Sequence, residues 1–380
     1  MTRTNAPHPE TPPGGLHQTA GVAPLEGEDA QRRRGCSILV VGAGAIGRTH
    51  IQRIRNTPGL ALAGIADPSD AGRALAESLD VPWAPDHVSA LDRFQPQGAI
   101  VATPNATHVP VALDCLARGV AALVEKPVAD TVAEAQALVD AQARSGVPVL
   151  VGHHRRHNPI LQRARQIIAD GRLGQVLSAN VMANFYKPEA YFDVPWRRQA
   201  GGGPVLINLI HDIDMLVYLL GEVRAVQGSL SSAVRGFEVE DTGAALLEFA
   251  CGTQAVMTVS DTAVSPWCWD LCAGEQNQYP RQNVQSHFLS GTQGALSLPD
   301  LALWHYQGER HWHHEMTREQ SNLHEIDVYV QQLRHFRAVT ERRETPICSA
   351  RDGWRTLQAT QALLQAARTG QRHICPAFQP

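Results

Sequence analysis

Lysine is almost missing from this chain: of 33 basic residues only Lys126 and Lys187 are lysine. Where guanidinium serves for routine positive charge, a retained ammonium is a candidate for chemistry that needs a compact cation with a movable pKa. Sampling accident is the competing account, and it weighs more for Lys187 than for Lys126. Other absences narrow the class. No apolar run reaches the roughly eighteen residues that a membrane helix needs. Basic residues are scattered instead of gathered into one stretch, so nothing points to nucleic acid. The 7 cysteines, an odd number without tight spacing, fit a reducing cytoplasm better than a disulfide framework. Cys268 and Cys272 alone make no metal site. Residues 1–35 lack any apolar period and any secretory core, and read as a disordered extension. Within it Arg32, Arg33 and Arg34 read as a solvated flank, not a twin-arginine address.

What remains is an ordinary globular composition over 380 residues, with 43% hydrophobic residues and a net charge of -4, enough for two domains. The chain is organised around Leu39 to Gly47, an apolar strand running into a turn with glycine at its first, third and sixth places. Gly42 permits the turn, Gly44 leaves backbone bare for a pyrophosphate, and Gly47 lets the next helix pack close. With Ala45 and Ile46 these residues form the expected phosphate cradle at a helix N-terminus. A second apolar run, Leu60 to Ala66, ends in Asp67 about twenty residues past Gly47, where a carboxylate accepts ribose hydroxyls. That carboxylate favours NAD and disfavours NADP, since Pro68, Ser69 and Asp70 offer no arginine for an extra phosphate.

Short apolar runs then alternate with helical stretches, the pattern of crossover units in a parallel sheet. A helix is expected at about 71–78 and a short segment at 81–83. Strand 98–102 ends in Thr103-Pro104-Asn105, helix 107–118 follows, strand 121–124 closes in Glu125-Lys126, helix 131–145 comes next, and strand 149–152 completes a six-strand Rossmann domain spanning residues 36–153. The second half changes character. Strands are expected at 176–186, 225–232, 242–249, 253–259, 285–290 and 294–298, making an open, mainly antiparallel sheet within an α+β domain over 154–345. A long helix, 204–220, interrupts it. Two last helices, about 323–341 and 350–368, return to brace the first domain, with residues 346–380 as closing helix and tail.

Leu39 to Gly47, Asp67, Thr103-Pro104-Asn105 with His108, Glu125-Lys126-Pro127, Gly201-Gly202-Gly203, and His211 with Asp214 stand in an order and spacing that resembles the glucose-fructose oxidoreductase and inositol dehydrogenase family, over about residues 37–375. Glu-Lys-Pro after a buried strand is the most specific mark. The resemblance implies an NAD-dependent dehydrogenase acting on a secondary alcohol or ketone of a cyclic polyol, sugar, sugar acid or related diol, without a metal. It implies that Thr103, Pro104, Asn105, His108, Glu125 and Lys126 join the cofactor site, that Lys126 binds the reacting oxygen, and that Pro127 follows a cis bond. It also implies His211 as general acid/base; the residues alone leave a satisfied core histidine open. Imidazole suits proton transfer because its pKa lies near working pH. Asp214 either orients that ring or is a salt-bridged helix carboxylate.

Members commonly carry aspartate four residues before the histidine, where this chain has Ile207, with Asn208 beside it. Either Asn208 supplies a neutral contact or the substrate lacks the hydroxyl that the aspartate holds. Arg155, Arg156, Lys187, Trp196 and Arg197 are further candidates for the substrate side of the cleft, favouring a ligand that carries a carboxylate; half of them are expected to be interface or surface charges. His153, His154 and His157, and His311, His313 and His314, suggest metal ligands, but the only nearby carboxylate is Glu315, directly after His314, and neither group sits on an identified helix face, which argues against a metal. The resemblance implies a homodimer or homotetramer, since many members bury the broad face of such an open sheet between subunits. The alternatives to an enzyme are a cofactor-binding regulator of the same fold and an NAD-assisted glycosidase.

Overall fold

Strands buried on both faces must be apolar at every position, and three short runs of the first half meet that condition. The computed structural model describes residues 35–276, 278–321, 323 and 326–378. Its first sheet has six strands: β1 (Cys36–Val41), β2 (Leu60–Ala66), β3 (Trp83–Ala84), β4 (Gly98–Val101), β5 (Ala121–Val124) and β6 (Val149–Val151). They lie in the order β3-β2-β1-β4-β5-β6, parallel throughout. Every residue of β4, β5 and β6 is buried. The order reverses between β1 and β4, which opens a crevice at their carboxyl ends.

Five helices cover this sheet: α1 (Ala45–Asn56), α2 (Asp70–Ser78), α3 (His87–Phe94), α4 (His108–Ala117) and α5 (Val132–Ser145). Local chemistry sets their ends. Thr131 and Glu134 form a capping box at the start of α5, and Gly146 in the left-handed region stops it. Helix α3 was not anticipated from the sequence, although Asp86 caps it by accepting from Ser89.

The second sheet has nine strands: β7 (Val176–Asn184), β8 (Val223–Ser231), β9 (Thr242–Phe249), β10 (Gln254–Ser260), β11 (His287–Gly291), β12 (Gly294–Leu298), β13 (Ala302–His305), β14 (Thr317–Gln320) and β15 (His373–Ile374). All neighbours pair antiparallel except β7 with β10, so the sheet is mixed but mainly antiparallel. Its remaining helices are α6 (Pro159–Ala169), α7 (Ile210–Leu220), the single turn α8 (Trp269–Cys272), α9 (Val328–Thr340) and α10 (Ala350–Thr369). Leu161 of α6, Ile213 and Leu216 of α7, and Leu363 of α10 pack with Leu247 and Met257 of the sheet into a second core. The opposite sheet face leaves Val256, Phe288 and Trp304 exposed.

Two expectations change here. The stretch 204–220 is not one regular helix: Val205–Leu209 forms a π-helical turn before α7 begins. The helix expected from residue 323 starts at Val328, where Asp327 caps it. Apart from Gly35, the N-terminal extension read at 1–35 lies outside the described residues. Helix α10 joins the halves, giving Trp354 and Leu357 to the first core and Ala359, Ala362 and Leu363 to the second.

Candidate active site

At the mouth of the crevice Gly42 adopts φ +96, and a Cβ there would stand 2.5 Å from the Ala102 carbonyl oxygen. A methyl at Gly47 would run into the Gly42 carbonyl, whereas one at Gly44 would meet nothing within 4 Å. So Gly42 and Gly47 answer to internal packing, and Gly44 faces open space where a phosphate group can approach the main chain. Gly44 caps α1 without a side chain, leaving the first N–H groups of that helix for an anion. Asp67 Oδ2 accepts from Ala43 N at 2.7 Å, while Oδ1 accepts from Ser69 N at 2.9 Å and from the Ser69 hydroxyl. Burial opposes ionisation of Asp67, but the bonds from Ser69 and Ala43, with Arg48 nearby, hold its carboxyl below the usual range. An open cradle beside an ionised carboxylate fits a dinucleotide.

Two residues expected to touch the cofactor have other duties in this structure. The His108 ring is buried between two carbonyl oxygens, Nδ1 at 2.7 Å from Pro127 O and Nε2 at 2.9 Å from Thr103 O. It therefore staples the loop after β4 to the loop after β5. The Glu125 carboxylate turns inward, with Oε1 2.7 Å from His50 Nε2. Burial raises its pKa, yet the His50 bond, with Lys126 close by, keeps it below the usual range. Of the neighbouring residues, Thr103 has a buried hydroxyl without a partner, and Pro104 and Asn105 are exposed.

Lys126 stands two residues past the end of β5, and its bond to Pro127 is cis. Its Nζ donates to the Ile207 carbonyl oxygen at 3.1 Å, in the π-turn that leads into α7. His211 is the second residue of α7, so one turn separates the lysine's acceptor from the imidazole. Burial pushes His211 well below the ordinary histidine range, and the charges of Lys126 and Arg155 push the same way. Its Nδ1 is buried without a partner. Burial also lowers Lys126, against the opposing charge of Glu125. Lys126 and His211 thus share one environment, although one follows a strand of the first domain and the other lies on a helix of the second.

Asp214 does not orient His211. Its carboxylate receives the Arg156 guanidinium through contacts of 2.7, 2.9 and 3.2 Å, and accepts from the Thr356 hydroxyl at 2.8 Å. Arg155 is likewise occupied, with Asp212 at 3.1 Å and Asp270 at 3.0 Å, so its charge is not open to a ligand. Arg197 stacks 3.9 Å over Tyr191 and donates to that residue's carbonyl oxygen at 2.6 Å. Trp196 is exposed. Lys187 differs from these arginines. Its Nζ donates to Asn208 Oδ1 at 2.7 Å, and Asp261 is 3.8 Å away, itself bonded to Arg235 at 3.0 Å. Burial lowers Lys187 to about 8, against Asp261. The only lysines of the chain therefore bond to consecutive residues of one π-turn.

The histidines after β6 stand beside this pair. His154 has its ring centroid 5.1 Å from that of His211 and stacks on Tyr329 at 4.6 Å; His153 lies 6.0 Å from His211. Among the described residues no group of three or more His, Cys, Asp or Glu is arranged to hold a metal. Three residues of the site carried no expectation from the sequence: His50, His154 as a neighbour of His211, and Tyr329. For His50 a signal existed, since it lies on the buried side of α1 with Gly47, Ile51 and Ile54. For Tyr329, far along the chain, there was none.

Comparison with known proteins agrees with this architecture. A family model described as oxidoreductase family, NAD-binding Rossmann fold, matches residues 36–153, and one described as GFO/IDH/MocA C-terminal domain matches residues 161–297. The 1,5-anhydro-D-fructose reductase of Ensifer adhaerens is 28% identical over 339 residues, covering 87% of this chain and 96% of that protein. The rhizopine catabolism protein MocA of Rhizobium meliloti is 28% identical over 203 residues, or 52% of this chain and 63% of that protein. The WlbA dehydrogenase of Bordetella pertussis, crystallised with NADH and UDP-GlcNAcA, superimposes with a TM-score of 0.73 at 21% identity, covering 91% of this chain and 100% of that one. At that identity the likeness speaks for the fold.

Proposed function

Because the chain belongs to the GFO/IDH/MocA family of NAD-binding oxidoreductases, we propose that it moves a hydride between NAD and a secondary alcohol of a cyclic polyol, sugar, sugar acid or related diol. The observation that carries this reading is the 3.1 Å bond from Lys126 Nζ to the Ile207 carbonyl, one turn ahead of His211. Gly42, Gly44, Ala45, Ile46 and Gly47 would hold the pyrophosphate and Asp67 the ribose, with Thr103, Pro104 and Asn105 along the same rim. Bound NAD supplies the hydride acceptor.

The protein's own part is proton and charge control. Lys126 has three N–H donors and spends one on Ile207, so others remain for the substrate oxygen, whose negative charge they stabilise as its proton leaves. His211 takes that proton. Held below the usual histidine range by burial and by Lys126, its imidazole is neutral near pH 7 and ready to act as a base.

A substrate carboxylate is the finer part of the reading. Lys187 finds only a neutral acceptor within hydrogen-bond distance, and Asn208 presents that acceptor in the turn before His211. A carboxylate there would restore the usual lysine pKa. Exposed Val256, Phe288 and Trp304 on the outer sheet face support a homo-oligomer joined through that face.

The test is a panel of polyols, sugars, uronates and dihydrodiols with NAD, followed by nicotinamide absorbance between pH 7 and 10. The reading expects reduction with at least one class and a preference for acids over their neutral parents. Tight NAD binding without turnover on any class would instead favour a cofactor-binding regulator.

A further inference from the structure

We propose that Glu240 is a positioning residue that sets where Lys126 and Lys187 find their acceptors; the inference rests on the dehydrogenase reading, in which both amines face the substrate. A helix leaves its first N–H groups without partners, and a serine, threonine or aspartate side chain close in sequence ordinarily takes them. The turn Val205–Leu209 has no such local cap, since Pro204 precedes it and brings neither a side-chain acceptor nor an N–H. Its first N–H, from Val205, donates instead to Glu240 Oε1 at 2.9 Å, 35 positions along the chain and two residues before β9. The rotation of the turn is therefore set from the sheet and not by its own sequence.

Gly203 shows how closely the two segments meet. A Cβ there would stand 2.3 Å from Glu240 Oε1 and 2.5 Å from its Cδ, so the last glycine of Gly201-Gly202-Gly203 makes room for the carboxylate. On that flank Gly203, Leu206 and Glu240 line a hollow of about 290 Å³, which leaves side-chain packing thin where the carboxylate holds the turn.

The next residue acts on the other partner. Asp241 is buried and accepts from Val234 N and Arg235 N at 2.9 Å each, while its carbonyl oxygen accepts from Asp261 N at 3.0 Å. Arg235 then donates to Asp261 Oδ1 at 3.0 Å and to the Lys187 carbonyl oxygen at 2.8 Å. Two adjacent residues at the head of β9 thus govern both ends of the Lys187–Asn208 bond, Glu240 through the turn that carries Asn208 and Asp241 through the segment that carries Lys187. Ile207, the acceptor of Lys126, lies on the same turn, so any shift of the turn moves both amines' partners together.

Because the chain has only these two lysines, protein labelled with carbon-13 at lysine Cε gives one NMR signal per amine, assigned through Lys126→Arg and Lys187→Arg. Glu240→Ala removes the acceptor and is expected to shift both signals, whereas Glu240→Gln keeps an oxygen for Val205 N and leaves both near the parent positions. Gly203→Ala should reproduce the Glu240→Ala shifts, since the added methyl displaces the carboxylate. Glu238→Gln, an exposed carboxylate beside the same hollow, should change nothing. On a substrate that turns over, Glu240→Ala should lower kcat by up to about 100-fold, the scale of a misplacement near 1 Å, and shrink the preference for acids over neutral parents, with the NAD dissociation constant unchanged. Unmoved signals in Glu240→Ala, shifts as large in Glu240→Gln or Glu238→Gln, or NAD binding lost along with the shifts would overturn the role. The signals are read without turnover, so a parent that binds NAD but oxidises nothing would sink the dehydrogenase reading without touching them.

Discussion

The two halves of the crevice are built on different principles. The cofactor half comes from one domain and is mostly main chain: a glycine turn, bare helix N–H groups, and one carboxylate that also ties down the loop through Ala43. The chemical half is all side chain and draws on both domains, with Lys126 after β5 reaching the turn that carries Ile207 and Asn208. A backbone cradle needs only its own domain to be folded. The amine and imidazole instead depend on packing between domains, which the buried Arg156–Asp214 pair, Thr356 and helix α10 maintain.

If the halves are separable, damage to one should spare the other. The largest effect is expected from Lys126→Ala or His211→Ala, each lowering kcat by about 10²- to 10⁴-fold while the NAD dissociation constant changes little. Cofactor binding lost in parallel with turnover would merge the two halves. Next comes Asp214→Ala, which leaves Arg156 as an uncompensated buried charge and should cost about 3–5 kcal/mol of stability, read as a lower urea midpoint. A midpoint unchanged from the parent would remove that pair from the domain junction.

Acid should loosen the chemical half through its buried histidines. Burial holds His153 at about 4 and His157 at about 3, below the ordinary 6.5, and lowers His154 and His211 well below that value. A depressed folded-state pKa means the unfolded chain binds more protons in that window. The stability these groups contribute is complete above pH 6.5 and is lost as pH falls toward their folded values. The slope is about 1.4 kcal/mol per pH unit for each histidine, so denaturation at pH 7, 6 and 5 should give falling midpoints. A flat series would contradict their neutral burial. The smallest effect belongs to the cofactor half: Asp67→Ala should shrink the preference for NAD over NADP by about 10-fold, the worth of one or two hydrogen bonds to a charged group. A preserved kcat/KM ratio would take the ribose role from that carboxylate.

Legibility in the sequence follows the same division. Strands β1, β2, β4, β5 and β6 were readable because each is a short apolar run bounded by turn residues, and the glycine spacing located the cradle. In the second half, β13 to β15 went unseen: Thr317–Gln320 is polar throughout, and His373–Ile374 has two residues, too few for any alternation. The parallel pairing of β7 with β10 was hidden as well, since register between distant strands leaves no local mark. At the site, motif residues could be named but not their partners. Glu125 entered the cofactor site through the family resemblance of Glu-Lys-Pro, yet its side chain turns inward to His50. For Arg155 and Asp214 the sequence left a salt-bridged role open without naming the partners, because those ion pairs join residues 57 and 58 positions apart.

The π-helical turn Val205–Leu209 has a consequence for how this site can change. Such a turn amounts to one residue inserted into a regular α-helix. Because the wider turn already absorbs that residue, deleting one would restore the ordinary pitch and leave the flanking helix facing much as before. The bend would then have one residue fewer with which to present acceptors to both Lys126 and Lys187, which now bond to consecutive positions, Ile207 and Asn208. Evolution of a new specificity can exchange side chains at this bend, but it cannot shorten the bend without unseating one of the two amines.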